Sequence, residues 1–103
     1  MVKEMNTAEF KAAAASGNLT VVDFYATWCG PCKMLEPIME QVSEDYPDVT
    51  FGRVNVDANM DIANELGIES IPLVLYFKDG KQMDALLGYN SAAIVAGKVE
   101  KLL

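Results

Sequence analysis

The sequence predicts an α/β protein in which helices cover both faces of a central mixed β-sheet of four to five strands. β-rich runs alternate with segments of helical periodicity, which is typical of parallel strands joined by helical crossovers. The last two β-rich runs are instead separated by Asp79-Gly80, a hairpin signal that makes this pair antiparallel. With 103 residues, 51% of them hydrophobic, we expect a single domain over residues 1–103.

The first element is a short helix. Asn6 and Glu9 are spaced as a capping box, in which each side chain bonds to the other residue's backbone N–H. They predict a helix over residues 10–16, ended by Gly17.

The second element is a strand over residues 19–25. Both of its alternating faces are apolar, with Val21 and Tyr25 on one and Val22 and Phe24 on the other, so we expect it in the middle of the sheet. Apolar residues then recur at helical spacing over residues 32–46, with Pro37 predicted to kink that helix.

The remaining elements follow in the same alternation. A second strand over residues 49–56 leads through Asp57-Ala58-Asn59, interpreted as a turn and cap, into a helix over residues 60–66. Strands over residues 73–77 and 81–87 form the hairpin. The last helix spans residues 91–103, and its predicted inward residues are Ile94, Val95, Val99 and Leu102.

Charge and composition exclude several function classes. Eight basic against fifteen acidic residues give a net charge of −7, which disfavours nucleic acids and acidic membrane surfaces as partners. The absence of histidine removes Ser-His and Cys-His catalysis and the common zinc sites. We find no secretory signal or membrane span, and therefore expect a cytoplasmic monomer with no bound metal.

The motif that carries chemistry is Cys29-Gly30-Pro31-Cys32. It follows the central strand and opens the next helix, where free N–H groups and the helix dipole favour a thiolate at Cys29. Redox chemistry is the favoured interpretation. The alternatives are a structural disulfide, half of a zinc site, or two buried inert cysteines, although a Gly-Pro loop beside Trp28 is a poor place to bury both.

A set of short segments around this motif is recognisable as a whole. It consists of Trp28-Cys29-Gly30-Pro31-Cys32-Lys33, Val22-Asp23-Phe24-Tyr25-Ala26, Pro37, Val54-Asn55-Val56-Asp57, Gly67-Ile68, Ile71-Pro72, Phe77-Lys78-Asp79-Gly80 and Gly88. In order and spacing these segments resemble the thioredoxin family over essentially the whole chain. The resemblance implies a thioredoxin fold and a protein-disulfide reductase and electron carrier that is recycled by a thioredoxin reductase and holds no cofactor.

The resemblance also implies roles for three residues of the reaction. Cys29 is the nucleophile that attacks a substrate disulfide, and Cys32 resolves the mixed disulfide. Asp23 exchanges a proton with Cys32, which agrees with the raised pKa expected of a carboxyl inside an apolar strand. The alternative is that Asp23 points to water at the end of the strand.

A substrate-docking surface is implied as well. Pro72 resembles the family's cis proline, which would turn the backbone at Ile71 outward to pair with an extended substrate. Ordinary core packing is the alternative for Trp28 and Ile71. The residues implied to bind substrate are Trp28, Gly30, Pro31, Ile71, Pro72 and Gly88.

Two charged residues are expected to tune the site, Lys33 inside the motif and Arg53 on the neighbouring strand. Arg53 stands where the family commonly has lysine, and an arginine could hold Asp23 charged more firmly. We therefore expect a smaller rise in the pKa of Asp23 than in relatives with lysine, unless Arg53 is only a surface residue. Two further residues depart from the family pattern. Leu73 stands where threonine is usual, and Tyr25 stands where many relatives have tryptophan. Both departures could shift the substrate preference or the reduction potential.

Three rival functions remain open on the sequence. Oxidants and isomerases of this fold usually carry a histidine between the cysteines, where this chain has Pro31. Glutaredoxins usually have proline then tyrosine between the cysteines, where this chain has Gly30 and Pro31, and an acidic chain suits the carboxylates of glutathione poorly. A redox-independent binding module would leave both cysteines dispensable.

Overall fold

The computed structural model describes residues 1–103 and contains one five-stranded mixed sheet with the strand order β1-β3-β2-β4-β5. The strands are β1 (Val2–Glu4), β2 (Thr20–Tyr25), β3 (Thr50–Asn55), β4 (Leu73–Lys78) and β5 (Lys81–Leu87), and the helices are α1 (Thr7–Ala15), α2 (Gly30–Asp45), α3 (Met60–Glu65) and α4 (Ala92–Leu102). β3 runs parallel to β1 and β2, whereas β4 is antiparallel to β2 and to β5. The predicted α/β class and mixed sheet are confirmed.

The sheet separates two apolar layers, as predicted from the alternation of strands and helices. One layer packs α2 and α4 against the sheet and is built on Val21, Leu35, Met39, Val42, Phe51, Val74, Tyr76, Val95 and Val99. The other packs α1 and α3 against the opposite face and is built on Met5, Phe10, Val22, Phe24, Val54, Ile62, Leu75 and Phe77. All six residues of β2 are buried because both layers cover this strand.

Several boundaries and one inward face differ from the prediction. The capping box at Asn6 is present, so α1 begins at Thr7. Asn59 precedes α3 but makes no side-chain cap, and its amide donates instead to the carbonyl oxygen of Asn55. The prediction that Ile94 faces inward is wrong. The buried residues of α4 are Val95 and Val99, and Ile94 is 49% exposed.

The strand β1 was not identified from the sequence. It has only three residues, two of them exposed, and so shows neither the length nor the alternation that marks a strand. β1 forms because it pairs in parallel with the edge of β3, where Glu4 is in register with Arg53.

The strand register brings three segments together at one end of the sheet. Phe24, near the end of β2, pairs with Leu73 at the start of β4, and Leu73 pairs with Leu87 at the end of β5. The segment that follows β2, the one that precedes β4 and the one that follows β5 therefore lie side by side. Asp79 and Gly80, which both have positive φ as a tight hairpin turn requires, join β4 to β5 at the other end of the sheet.

No helix of the structure is long and apolar enough to cross a membrane.

We predict that Phe10 anchors α1, since it is the only buried residue of that helix. Its ring meets Phe24 and Phe77 edge-on, with centroids 5.2 Å and 5.5 Å away. Phe10→Ala should lower the free energy of unfolding by ~3–5 kcal/mol in urea titrations, because a large buried side chain is lost. The exposed neighbour Lys11 is the control, and Lys11→Ala should cost less than ~0.5 kcal/mol. Equal costs for the two variants would show that the ring does not anchor the helix.

Candidate functional site

The two cysteines form a disulfide at the start of α2. Their Cα atoms are 5.2 Å apart. Cys29 is the N-cap of the helix, and its Sγ accepts a hydrogen bond of 3.3 Å from the backbone N–H of Cys32. The helix begins at Gly30, two residues before the predicted start, because Gly30 and Pro31 already form its first turn.

This position is favourable for a thiolate once the disulfide is reduced. The unpaired N–H groups of the first turn and the helix dipole stabilise negative charge at the N-cap. The first turn of α2 contains no acidic residue that would oppose such a charge. Both cysteines are almost completely buried, with 5% and 3% exposure, contrary to the expectation that a Gly-Pro loop beside Trp28 is a poor place to bury both. Gly30 and Pro31, which lie between the two cysteines in the chain, are exposed.

The segment before β4 lies against this disulfide. The peptide bond between Ile71 and Pro72 is cis, as the resemblance implied. Cys29 Sγ is 4.0 Å from the carbonyl oxygen of Ile71. Pro72 is buried, and its carbonyl oxygen accepts a hydrogen bond of 2.8 Å from the N–H of Gly88, which ties the segment after β5 to the same place.

The backbone of Ile71 is available at this surface. Neither its N–H nor its C=O bonds to another backbone group, and the residue is half-buried. A backbone N–H and C=O without backbone partners are the groups that an added strand uses.

Trp28 lies on the surface and not in the core, with 70% exposure. Its indole N–H donates a hydrogen bond of 2.7 Å to Asp57 Oδ2, which fixes the ring beside the disulfide. A shallow cavity of about 200 Å³ adjoins it, and Met60, Ile68 and Ile71 are among its lining residues. Core packing is thereby excluded for Trp28.

Asp23 is buried in the middle of β2, with 3% exposure, so the alternative of a strand-end carboxyl in water is wrong. Its Oδ1 has no hydrogen-bond partner. Burial raises the pKa of Asp23 to about 7, against the lowering effect of the Arg53 guanidinium, while Glu36 and Glu4 add to the rise. The carboxyl therefore takes up and releases protons near neutral pH.

Arg53 does not pair with this carboxyl, although the two residues are in register on adjacent strands. Its Nη1 is 3.2 Å from Glu36 Oε1, and its Nε is 3.4 Å from Glu4 Oε1 at an angle outside hydrogen-bond geometry. Its guanidinium carbon lies 4.0 Å from the centre of the Tyr25 ring. Arg53 lowers the pKa of Asp23, but burial raises it by more. A comparison with lysine-bearing relatives stays a prediction.

A second cavity, of about 140 Å³, lies beside Cys32. Its lining residues are Tyr25, Ala26, Thr27, Cys32, Lys33, Glu36 and Arg53. Both residues expected to tune the site, Lys33 and Arg53, therefore lie at this cavity. No group of three cysteine, aspartate or glutamate side chains is arranged to hold a metal ion.

Comparison with known proteins identifies the family to which this arrangement belongs. The family model for thioredoxins matches residues 1–101. The chain belongs to the thioredoxin family. It is 47% identical to thioredoxin-1 of Saccharomyces cerevisiae over 95 residues, which cover 91% of this chain and 92% of the relative. It is 39% identical to the thioredoxin of Chlamydia pneumoniae over 101 residues, or 98% of each chain.

Solved thioredoxin structures have the same fold. A Plasmodium falciparum thioredoxin superposes with a TM-score of 0.90 at 35% identity, covering 99% of this chain and 100% of that one. The thioredoxin fold and the family resemblance inferred from the sequence are confirmed. The protein is a thiol-disulfide oxidoreductase that works by dithiol-disulfide exchange at its redox-active cysteine pair.

Three residues that shape this thioredoxin site were not predicted from the sequence. Asp57 was placed in a turn and in one of the family segments, but no local signal marks it as the partner of Trp28. Glu36 follows Cys32 by four residues, so helical spacing alone places it on the same side of α2. Glu4 had no signal, because the strand that carries it was not identified.

We predict that Asp23 makes the stability of the oxidised protein fall as pH rises. The pKa of its carboxyl is about 7 in the folded protein, against an ordinary value of 3.8. Between pH 3.8 and pH 7 the folded protein therefore binds a proton that the unfolded chain does not. The free energy of unfolding should then fall by up to ~1.4 kcal/mol per pH unit across this window and level off above pH 7. Urea titrations from pH 4 to 8 measure this slope.

Asp23→Asn should remove this slope and be more stable than the parent protein at pH 8. The exposed Asp48 provides the control, since Asp48→Asn should keep the slope. A slope that persists in Asp23→Asn would show that another group causes it.

Proposed function

We propose that this chain reduces disulfides in other proteins and carries the electrons for that reduction, with Cys29 as the nucleophile and Cys32 as the resolving thiol. The observation that carries the proposal is the Cys29–Cys32 disulfide at the N-terminus of α2, next to the exposed Trp28. It supports the assignment because the N-cap position favours the thiolate at Cys29 and not at Cys32, which lies inside the first turn.

The reaction proceeds in two exchanges. The Cys29 thiolate attacks one sulfur of the substrate disulfide, a mixed disulfide forms, and the other substrate sulfur leaves as a thiolate. Cys32 then loses its proton and attacks Cys29 Sγ. The Cys29–Cys32 bond forms, the mixed disulfide breaks, and the second substrate sulfur leaves. Two electrons pass from the protein to the substrate.

Asp23 accepts the proton of Cys32 in the second exchange. A base with a pKa near the working pH is the most effective, and the buried carboxyl meets this condition. Its unpartnered Oδ1 and its place on the face of β2 that α2 covers support this role.

The substrate binds across the exposed end of the sheet. Trp28, Gly30 and Pro31 supply apolar contact on one side of the disulfide, and Pro72 and Gly88 lie on the other. Ile71 pairs with an extended segment of the substrate through its free backbone N–H and C=O. Lys33 and Arg53 adjust the charge around Cys32 from the second cavity.

A thioredoxin reductase returns the oxidised pair to the dithiol, in accordance with the family. A peroxiredoxin is one substrate class, since a chain from a study of thiol resolution in yeast mitochondrial 1-Cys peroxiredoxin matches this structure with a TM-score of 0.86. We place the protein in the cytoplasm as a monomer of one domain over residues 1–103, since a reducing compartment suits a reductant.

The reduction potential of the Cys29–Cys32 pair tests the direction of exchange. We expect a value near the ~−270 mV that is typical of thioredoxins, measured by thiol trapping across a series of dithiol/disulfide buffers. A value of about −180 to −120 mV would make the protein an isomerase or an oxidant instead. Failure to form the bridge at any potential would leave only a redox-independent binding function.

Single cysteine variants test the two roles, and each serves as the control for the other. Cys32→Ser should accumulate a stable mixed disulfide with a disulfide-bonded protein, because nothing resolves the bond at Cys29. Cys29→Ser should form none, and both variants should lose at least ~99% of reductase activity. Mass spectrometry after acid quenching detects the adduct, and an adduct on Cys32 in Cys29→Ser would reverse the assignment.

A further inference from the structure

The charged groups around Asp23 form an arrangement that the exchange reaction does not by itself explain. A buried carboxyl and an arginine lie in register on adjacent strands, where their side chains share one face of the sheet. An ion pair between them is the ordinary outcome, yet the ion pairs of Arg53 go to Glu4 and Glu36.

Two carboxylates and one aromatic ring contact the guanidinium of Arg53. Glu36 approaches it from α2, Glu4 from β1, and the Tyr25 ring lies under it at 4.0 Å. Glu4 is itself fixed, since the Tyr25 hydroxyl lies 2.9 Å from each of its carboxylate oxygens and donates its proton there. The arginine side chain is 23% exposed, so these contacts are partly shielded from solvent.

We propose that Glu4 and Glu36 are positioning residues that hold Arg53 away from Asp23. The buried carboxyl then keeps no cationic partner and remains able to accept a proton. The effect on disulfide exchange rests on the proposed proton-transfer role of Asp23, whereas the positioning of Arg53 does not.

The charged groups that act on Asp23 come from three elements. Arg53 on β3 favours its ionised form, and Glu36 on α2 and Glu4 on β1 oppose it. On β4, the other neighbour of β2, the residue that pairs in register with Asp23 is the apolar Val74. With Glu4 and Glu36 neutral, Arg53 is released, and of the three charges that act on Asp23 it alone remains.

The test is a carbon-13 NMR titration of the Asp23 carboxyl in the oxidised protein. In the double variant Glu4→Gln, Glu36→Gln the pKa of Asp23 should fall by about 1–3 pH units, the effect of an opposite charge at contact distance. Glu36→Gln alone changes an exposed side chain of α2. It should give a smaller shift in the same direction, and it keeps the test valid if the double variant loosens β1. Glu44→Gln is the control, because it removes the same charge from the same helix at an exposed position.

Loss of two negative charges also lowers the pKa directly, so the double variant is repeated with Arg53→Gln. If Glu4 and Glu36 act by positioning, their removal should then shift the pKa of Asp23 by less than about half a pH unit. An undiminished shift without Arg53, or no shift with it, would overturn the proposal.

The rate at which the protein releases a mixed disulfide, measured by stopped flow between pH 5 and 9, separates the two hypotheses. Its midpoint should move to lower pH with the pKa of Asp23. If the pKa moves and the rate profile does not, Arg53 is positioned as proposed and the proton-transfer role of Asp23 is wrong.

Discussion

The burial of β2 on both faces is the constraint on which the rest of this structure depends. Because α2 and α4 cover one side of β2 and α1 and α3 the other, the strand is fixed at the centre of the sheet. The chain leaves β2 at Tyr25 and reaches the start of α2 at Gly30 with only four residues between them. The N-terminus of α2 is therefore set against the end of the most rigidly held strand, and the disulfide is placed with it.

The same burial creates the acid-base chemistry of the site. A carboxyl in water is ionised at neutral pH, but Asp23 loses most of its hydration in the sheet. Its surroundings contain one positive and two negative side chains, and the positive one is engaged by the two negative ones. The interior thus gives an ordinary aspartate a pKa of about 7, without a histidine anywhere in the chain.

The sequence predicted the elements that are long or strongly patterned, and it missed what depends on contacts between distant segments. The periodicity of α2 and the apolar run of β2 are local signals, so both elements were predicted correctly to within a few residues. β1 is stable only as an addition to β3, and the face of α4 depends on what lies beneath it. The hydrogen bond between Trp28 and Asp57 and the partners of Arg53 likewise join residues far apart in the sequence. The family resemblance, and not periodicity, supplied the cis proline.

The turn at Asp79 and Gly80 has a consequence for engineering this protein. It joins β4 and β5 at the end of the sheet opposite the disulfide, and both residues are exposed. A peptide grafted into this turn would emerge into solvent, at the end of the sheet away from the disulfide. The hairpin is therefore the natural place to display a foreign loop or attach a reporter while the redox centre keeps working.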